Sequence, residues 1–305
     1  MAGSKRDPGP LLALGIAILA VSSSSILIRL TITPPLVTAF YRQLFCAILI
    51  FPFAGGERPA QLTTRDRVLL ILSGLFLALH FATWITSLFY TTVARSTLFV
   101  DLQPVWAALL GALFLQERLT AREIAGVVAV TAGGVLTAGA GWKSGVFVQT
   151  GDLLALAGGV AGAVYLLIGR KVRMAIPWAR YMLAAYAISA AWLFLFFLIL
   201  SHGRFPLPAE RDLLWISLMA IGPGILGHGL VNLAIRHIKA YAVNAALLGE
   251  PVLATIFAYL LFGEAPDSYY YAGATLIFTG LLIIFLMGRK ESLAESAERP
   301  STATK

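Results

Sequence analysis

Five ionisable side chains lie inside long apolar stretches: Arg42, His80, Asp101, His228 and Glu250. A charge at the centre of a membrane helix costs about 2.5–3.5 kcal/mol on insertion scales, so each asks for a partner, water or a task. Arg42 and Asp101 each sit about eight residues in from one end of their stretches, at one depth. They can pair as a structural ion pair, act as a gate, or leave Arg42 to hold a carboxylate. Glu250 directly precedes Pro251. A carboxylate there can meet an ammonium, carry a proton, or satisfy backbone groups that the proline frees. His80 and His228 are the imidazoles of the set, and an ordinary pKa of about 6.5 suits proton-linked work as well as plain hydrogen bonding. Trp84 follows His80 by four residues and Asn232 follows His228 by four, so each pair shares a helical face.

Phe99 with Gln103, and Tyr165 and Tyr186 further on, can wall a pocket for an aromatic ring or can be ordinary packing. The serine run Ser22–Ser25 and the stretch Gly222-Pro-Gly-Ile-Leu-Gly-His-Gly229 mark weakened helices, tolerated at membrane depth only against protein or a wet cavity. Gly158-x3-Gly162 reads as a helix-packing surface without direct chemistry. His202 and His237 fall in loops and take no role.

The elements that must position these groups are spans. Of 305 residues, 59% are hydrophobic and 12% charged, where a soluble domain has about 45–50% and 25%. A water-soluble fold is excluded. Apolar stretches predict ten membrane helices at 10–30, 34–54, 67–89, 94–116, 122–141, 151–169, 178–201, 211–234, 240–263 and 268–288. The net charge of +8 belongs to the borders of these spans and not to a nucleic-acid surface. With the N-terminus in the cytoplasm only Arg29, Arg95, Lys143, Arg204 and Arg211 fall on the far side, which places both termini inside by the positive-inside rule. The first span, preceded by Lys5 and Arg6, also fits a signal peptide; a matching later segment argues for a retained helix. One cysteine, Cys46, allows neither an intrachain disulfide nor a cysteine metal cluster.

The chain repeats itself. Pro104, Glu117, Gly126 and Gly133 recur as Pro251, Glu264, Gly273 and Gly280, all 147 positions on. Gly9-Pro-Leu-Leu-Ala-Leu14 is echoed by Gly151-Asp-Leu-Leu-Ala-Leu156, and Arg29 and Pro35 by Lys171 and Pro177, 142 positions on. His80 and His228 are near-equivalents, and Gln103 stands where the second half has Glu250. Five spans per half reverse the direction in which the second half enters the membrane, so the repeats are inverted. That plan belongs to secondary transporters, with a site near the midplane and alternating access. The expected units are a segment 1–9, repeats over 10–141 and 151–288, and a polar, disordered cytoplasmic tail over 289–305.

This doubled pattern resembles the EamA family of the drug/metabolite transporter superfamily, over about Pro10 to Met287. Ala39-Phe-Tyr-Arg42, Thr86-Ser-Leu-Phe-Tyr90 and Leu247-Leu-Gly-Glu-Pro251 are most similar to its YddG-like branch of bacterial aromatic amino-acid exporters. The resemblance implies an all-α basket of ten helices around a central cavity, with the fifth and tenth outside it, and export from the cytoplasm across a bacterial inner membrane. Other classes fit less well. An intramembrane enzyme lacks any His-Glu-x-x-His, and a channel needs a ring of like groups. Phosphorylated sugars call for more deep cations than Arg42. Cationic drugs remain the main alternative substrates. The expected cargo is an amino acid with an aromatic or apolar side chain, bound by His80, Trp84, Phe99, Gln103, Tyr165, Tyr186, His228, Asn232 and Glu250, with Arg42 and Asp101 as ion pair or gate. No cofactor, metal or catalytic residue is expected, and proton coupling stays open.

Overall fold

A computed structural model describes residues 9–55, 62–114, 120–138, 149–173, 176–200, 207–228, 230, 247 and 249–298, with 284–298 as backbone alone. Among them every regular element is a helix. The first half runs α1 (Gly9–Ser22), α2 (Ser24–Arg29), α3 (Pro35–Ile50), α4 (Thr64–Ser87), α5 (Val93–Val100), α6 (Gln103–Phe114) and α7 (Ala121–Ala138). The second runs α8 (Thr150–Val172), α9 (Trp178–Leu200), α10 (Glu210–Met219), a π-helical segment over Ala220–Gly227, α11 (Gly249–Phe262) and α12 (Ser268–Glu298). Five of these spans, Pro35–Ala54, Thr64–Ser87, Val93–Leu113, Thr150–Gly169 and Trp178–Leu200, are long and apolar enough to cross a bilayer on their own. The shorter apolar helices Leu14–Arg29, Ile124–Thr137, Gly249–Phe262 and Ser268–Ile283, with α10 and the π segment, take the remaining positions. The chain is an all-α integral membrane protein of ten spans in two inverted repeats.

Local chemistry explains the ends. Pro35 opens α3 where a missing N–H does no harm. Thr63 and Asp66 form a reciprocal capping box at the start of α4. Gly263, at φ +68°, ends α11 in the left-handed region that glycine enters without penalty. The fourth span is not continuous as its hydropathy suggests. It breaks at Asp101–Leu102 because Pro104 cannot donate to the carbonyl four residues before it. Pro223 does the same in the eighth span, and the backbone there widens to π register. The tail differs from expectation too: α12 continues to Glu298, through a run of good helix formers that includes Leu293, Ala294, Glu295 and Ala297. Glu117 lies outside the described residues.

The pairing of helices carries the inverted symmetry. The second span packs on the seventh (α3 on α9), the fourth on the ninth (α5 on α11) and the fifth on the tenth (α7 on α12). The third packs on the sixth (α4 on α8), and its mirror relation, the eighth on the first, is the π segment against α1. Between α7 and α12 the glycines of the repeat meet one another. A Cβ on Gly133 would lie 2.6 Å from the Gly273 carbonyl oxygen, and one on Gly280 would lie 2.5 Å from that of Gly126. Gly126 corresponds to Gly273 and Gly133 to Gly280, so the contact is isologous and antiparallel, as a two-fold axis in the membrane plane demands. Apolar side chains gain little by leaving lipid for one another, so close backbone approach at small residues is what holds such a pair. Gly133→Val should therefore lower the thermal unfolding midpoint in detergent by several degrees. An unchanged midpoint would mean that α7 and α12 are not held by this contact.

Candidate functional site

The interrupted spans converge on one cavity of about 390 Å³, its open mouth included. Val21 and Ser24 reach it from the α1–α2 junction, Arg42 from α3, and His80, Phe81 and Trp84 from α4. Val100, Asp101 and Gln103 come from the α5–α6 break, Pro223 and His228 from the π segment and its end, and Glu250 from α11. Arg42 follows the start of α3 by seven residues and His80 precedes the end of α4 by seven. At 1.5 Å per residue the cavity thus lies roughly 10 Å in from that end of the bundle.

Arg42 is 2% exposed. Its guanidinium carbon sits 4.0 Å from the centroid of the Phe81 ring and 5.9 Å from that of Trp84, a cation–π seat. Ring faces satisfy charge but not N–H groups, and Nε and Nη1 have no hydrogen-bond partner among the described residues. Arg42 and Asp101 do not form the ion pair their equal depths suggested. The α4 rings take the guanidinium, the break in the fourth span carries Asp101 toward α11, and its Oδ2 also lacks a partner among the described residues. There the Asp101 and Glu250 carboxylates stand close enough to influence each other. Glu250, His80 and His228 line the same cavity as Arg42.

His80 is held by α8. Its Nδ1 lies 2.8 Å from the Gly158 carbonyl oxygen. A carbonyl only accepts, so Nδ1 carries the proton and Nε2 of the neutral ring remains an acceptor. The ring stacks on Trp84 at 5.9 Å and 23° and meets Phe81 edge-on. A Cβ on Gly162 would fall 2.6 Å from Gln103 Oε1 and 2.9 Å from His80 Nδ1. Gly158 and Gly162 therefore do more than pack helices: one supplies the carbonyl that orients His80, and the other leaves room for His80 and Gln103 together. His228 faces the cavity from the end of the π segment. The hydroxyl of Ser24 and the indole N–H of Trp84 complete the polar wall, both without partners among the described residues.

Three aromatic candidates lie elsewhere. Phe99 is buried in a second core cluster with Leu98, Leu102, Val130 and Tyr270. Its place on α5 turns it toward Gly134 of α7 and away from the cavity. Tyr165 stacks on Tyr181 at 6.2 Å. Tyr186 donates to the Gly224 carbonyl at 3.3 Å and Cys46 Sγ lies 3.8 Å from that of Ala220, so both contact the segment that Pro223 distorts. Asn232 lies outside the described residues. Sequence reasoning missed the apolar wall of Val21, Phe81, Val100 and Pro223; the spacing of Phe81 and Trp84, three apart on one face, was its available signal. Among the described residues no group of His, Cys, Asp and Glu could hold a metal ion.

Known proteins place this geometry. An uncharacterized transporter of Archaeoglobus fulgidus is 27% identical over 284 residues, 90% of this chain and 95% of its own. A protein of Streptantibioticus cattleyicolor named as a probable terminal-alkyne amino-acid exporter is 27% identical over 219 residues, 69% of this chain and 70% of its own. A solved crystal structure shares the fold at a TM-score of 0.61 and 21% identity, covering 92% of this chain and 99% of that one. The pattern of the EamA-like transporter family matches twice, at residues 8–139 and at 149–286. With both repeats matched and their spans enclosing one polar cavity, the chain belongs to the EamA-like transporter family and is a transporter, not an enzyme.

Proposed function

We propose that this transporter exports amino acids with aromatic or apolar side chains from the cytoplasm, by alternating access between repeats over 10–141 and 151–288. The single observation that carries the reading is a set of buried polar atoms of both characters in one cavity, without partners among the described residues: Arg42 Nε and Nη1 with Trp84 Nε1 as donors, and Asp101 Oδ2 as acceptor. Buried polar groups in native structures are almost always hydrogen-bonded. A zwitterion supplies what is missing, with its carboxylate on Arg42 and its ammonium between Asp101, Glu250 and His80 Nε2. Phe81, Val100 and Pro223 offer an apolar wall to the side chain. The named exporter of Streptantibioticus cattleyicolor supports an amino-acid cargo. The distribution of lysine and arginine supports cytoplasmic termini in a bacterial inner membrane. The YddG-like branch remains our preferred placement within the family.

A second reading is favoured by the charge count. The cavity holds two carboxylates and one guanidinium, so a cationic amine or drug would also balance it, as would one proton shared by Asp101 and Glu250. Efflux of radiolabelled phenylalanine from proteoliposomes, with and without a pH gradient and against a cationic dye, separates these. Phenylalanine efflux is expected, and acceleration by the gradient would identify proton coupling. Dye efflux without phenylalanine efflux would move the protein to amine export.

Individual residues make sharper outcomes. A hydrogen bond to a charged group contributes about 1.5–3 kcal/mol, or tenfold and more in binding. Arg42→Gln should raise the KM for phenylalanine at least about tenfold, measured as initial efflux rate against internal concentration; an unchanged KM would remove Arg42 from the site. Glu250→Gln and His80→Ala should each reduce efflux several-fold at unchanged protein content of the membrane. Normal flux in both would place the ammonium elsewhere.

A further inference from the structure

At the end of the bundle that carries the loops after α2, α4, α7, α9 and α11, three polar contacts cross from one repeat to the other. Arg29 pairs with Glu264, while its Nη1 donates to the Leu88 carbonyl at 2.7 Å and the Val93 N–H donates to Glu264 at 3.0 Å. That one pair ties the ends of α2, α4 and α5 to the turn that Gly263 makes after α11. Arg95 pairs with Asp152 in a nearly dry setting, with exposures of 7% and 1%. Its Nη1 donates to the Thr137 carbonyl at 2.8 Å, and Thr91 donates to Asp152 at 3.0 Å. Asp212 accepts from the Ile32 and Thr33 N–H groups at 2.8 and 2.7 Å and from the Thr33 hydroxyl at 2.6 Å.

Among the described residues at the other end, the Ser73 and Tyr181 hydroxyls meet at 2.7 Å and Arg180 donates to the Ala54 carbonyl at 2.8 Å. Lys171 holds in the second repeat the place Arg29 holds in the first and is exposed, and Glu117, the counterpart of Glu264, lies outside the described residues. The cavity lies about two helical turns beneath the locked end.

We propose that the contacts of Arg29 with Glu264, of Arg95 with Asp152 and of Asp212 with the Thr33 turn form a latch that shuts this end of the cavity, and that each transport cycle must break and remake it. The proposal rests on the alternating-access reading above but not on the identity of the cargo. The three latch contacts involve no residue that lines the cavity, so access can change while the binding groups stay in place.

The test is side-specific labelling. Ser24→Cys in a Cys46→Ala background puts one thiol in the cavity wall. An impermeant maleimide is then applied to sealed vesicles of either orientation. With the latch intact, labelling from the latch side should be slow. Glu264→Gln combined with Asp212→Asn should raise it about fivefold or more, and an unchanged rate would overturn the proposal. Thr33→Cys with Asp212→Cys supplies an independent arm. The oxidised protein should lose efflux, and reductant should restore it; efflux at the wild-type rate while oxidised would also overturn it. No substrate enters the labelling arm, so absent phenylalanine efflux with a normal labelling response would count against the cargo alone.

Discussion

An arginine buried in the hydrocarbon layer, with donors that no described residue meets, cannot persist without something to meet it, and the rest of this structure is arranged around that condition. Arg42 is nearly inaccessible and rests on Phe81 and Trp84. A cation–π contact contributes about 0.5–2 kcal/mol, comparable to or below the insertion cost of the charge itself. Its remaining hydrogen-bonding capacity faces a space rimmed by Asp101, Glu250 and two histidines. Every interrupted helix in the described chain opens toward that same space. Backbone freed from helical pairing is stable at this depth only beside protein or a wet cavity, so the breaks and the buried charge depend on one another.

The inverted repeat supplies the frame. Pairs of equivalent spans meet at the pseudo-two-fold axis, and α7 and α12 meet through the glycines that the repeat preserves. The frame is symmetric but its contents are not. Gln103 faces the cavity where the second half offers Glu250, and Pro223 distorts the eighth span while Phe81 and Trp84 leave the third intact. These departures make the cavity wall differ between the two halves.

Much of the frame was legible because membrane insertion demands long apolar runs and because four residues recurring at one offset leave few alternatives. The positions of Arg42, Asp101 and Glu250 stood out for the same reason: charge is rare there. Helix rotation was not legible. In a span surrounded by lipid on one side and apolar protein on the other, no periodicity separates the faces, so Phe99, Tyr165 and Tyr186 looked as suitable as Trp84. The break at Asp101 followed from Pro104, a signal that hydropathy overrode. Gly158 and Gly162 carried a dual duty that small-residue spacing alone does not express. The latch residues Arg29, Arg95, Asp152, Asp212 and Glu264 sit near span ends, where charge is ordinary, and their partners lie 57 to 235 residues away in sequence.

The central claim is that one cavity recognises both ends of a zwitterion. Equilibrium binding to the detergent-purified transporter, followed by Trp84 fluorescence in a background where the other tryptophans are replaced by phenylalanine, tests it with three ligands of one ring size. Phenylalanine should bind at least about tenfold more tightly than phenethylamine, which lacks the carboxylate, and than phenylpropionate, which lacks the ammonium. Phenethylamine binding as tightly as phenylalanine would contradict the account and leave Arg42 without its assigned partner.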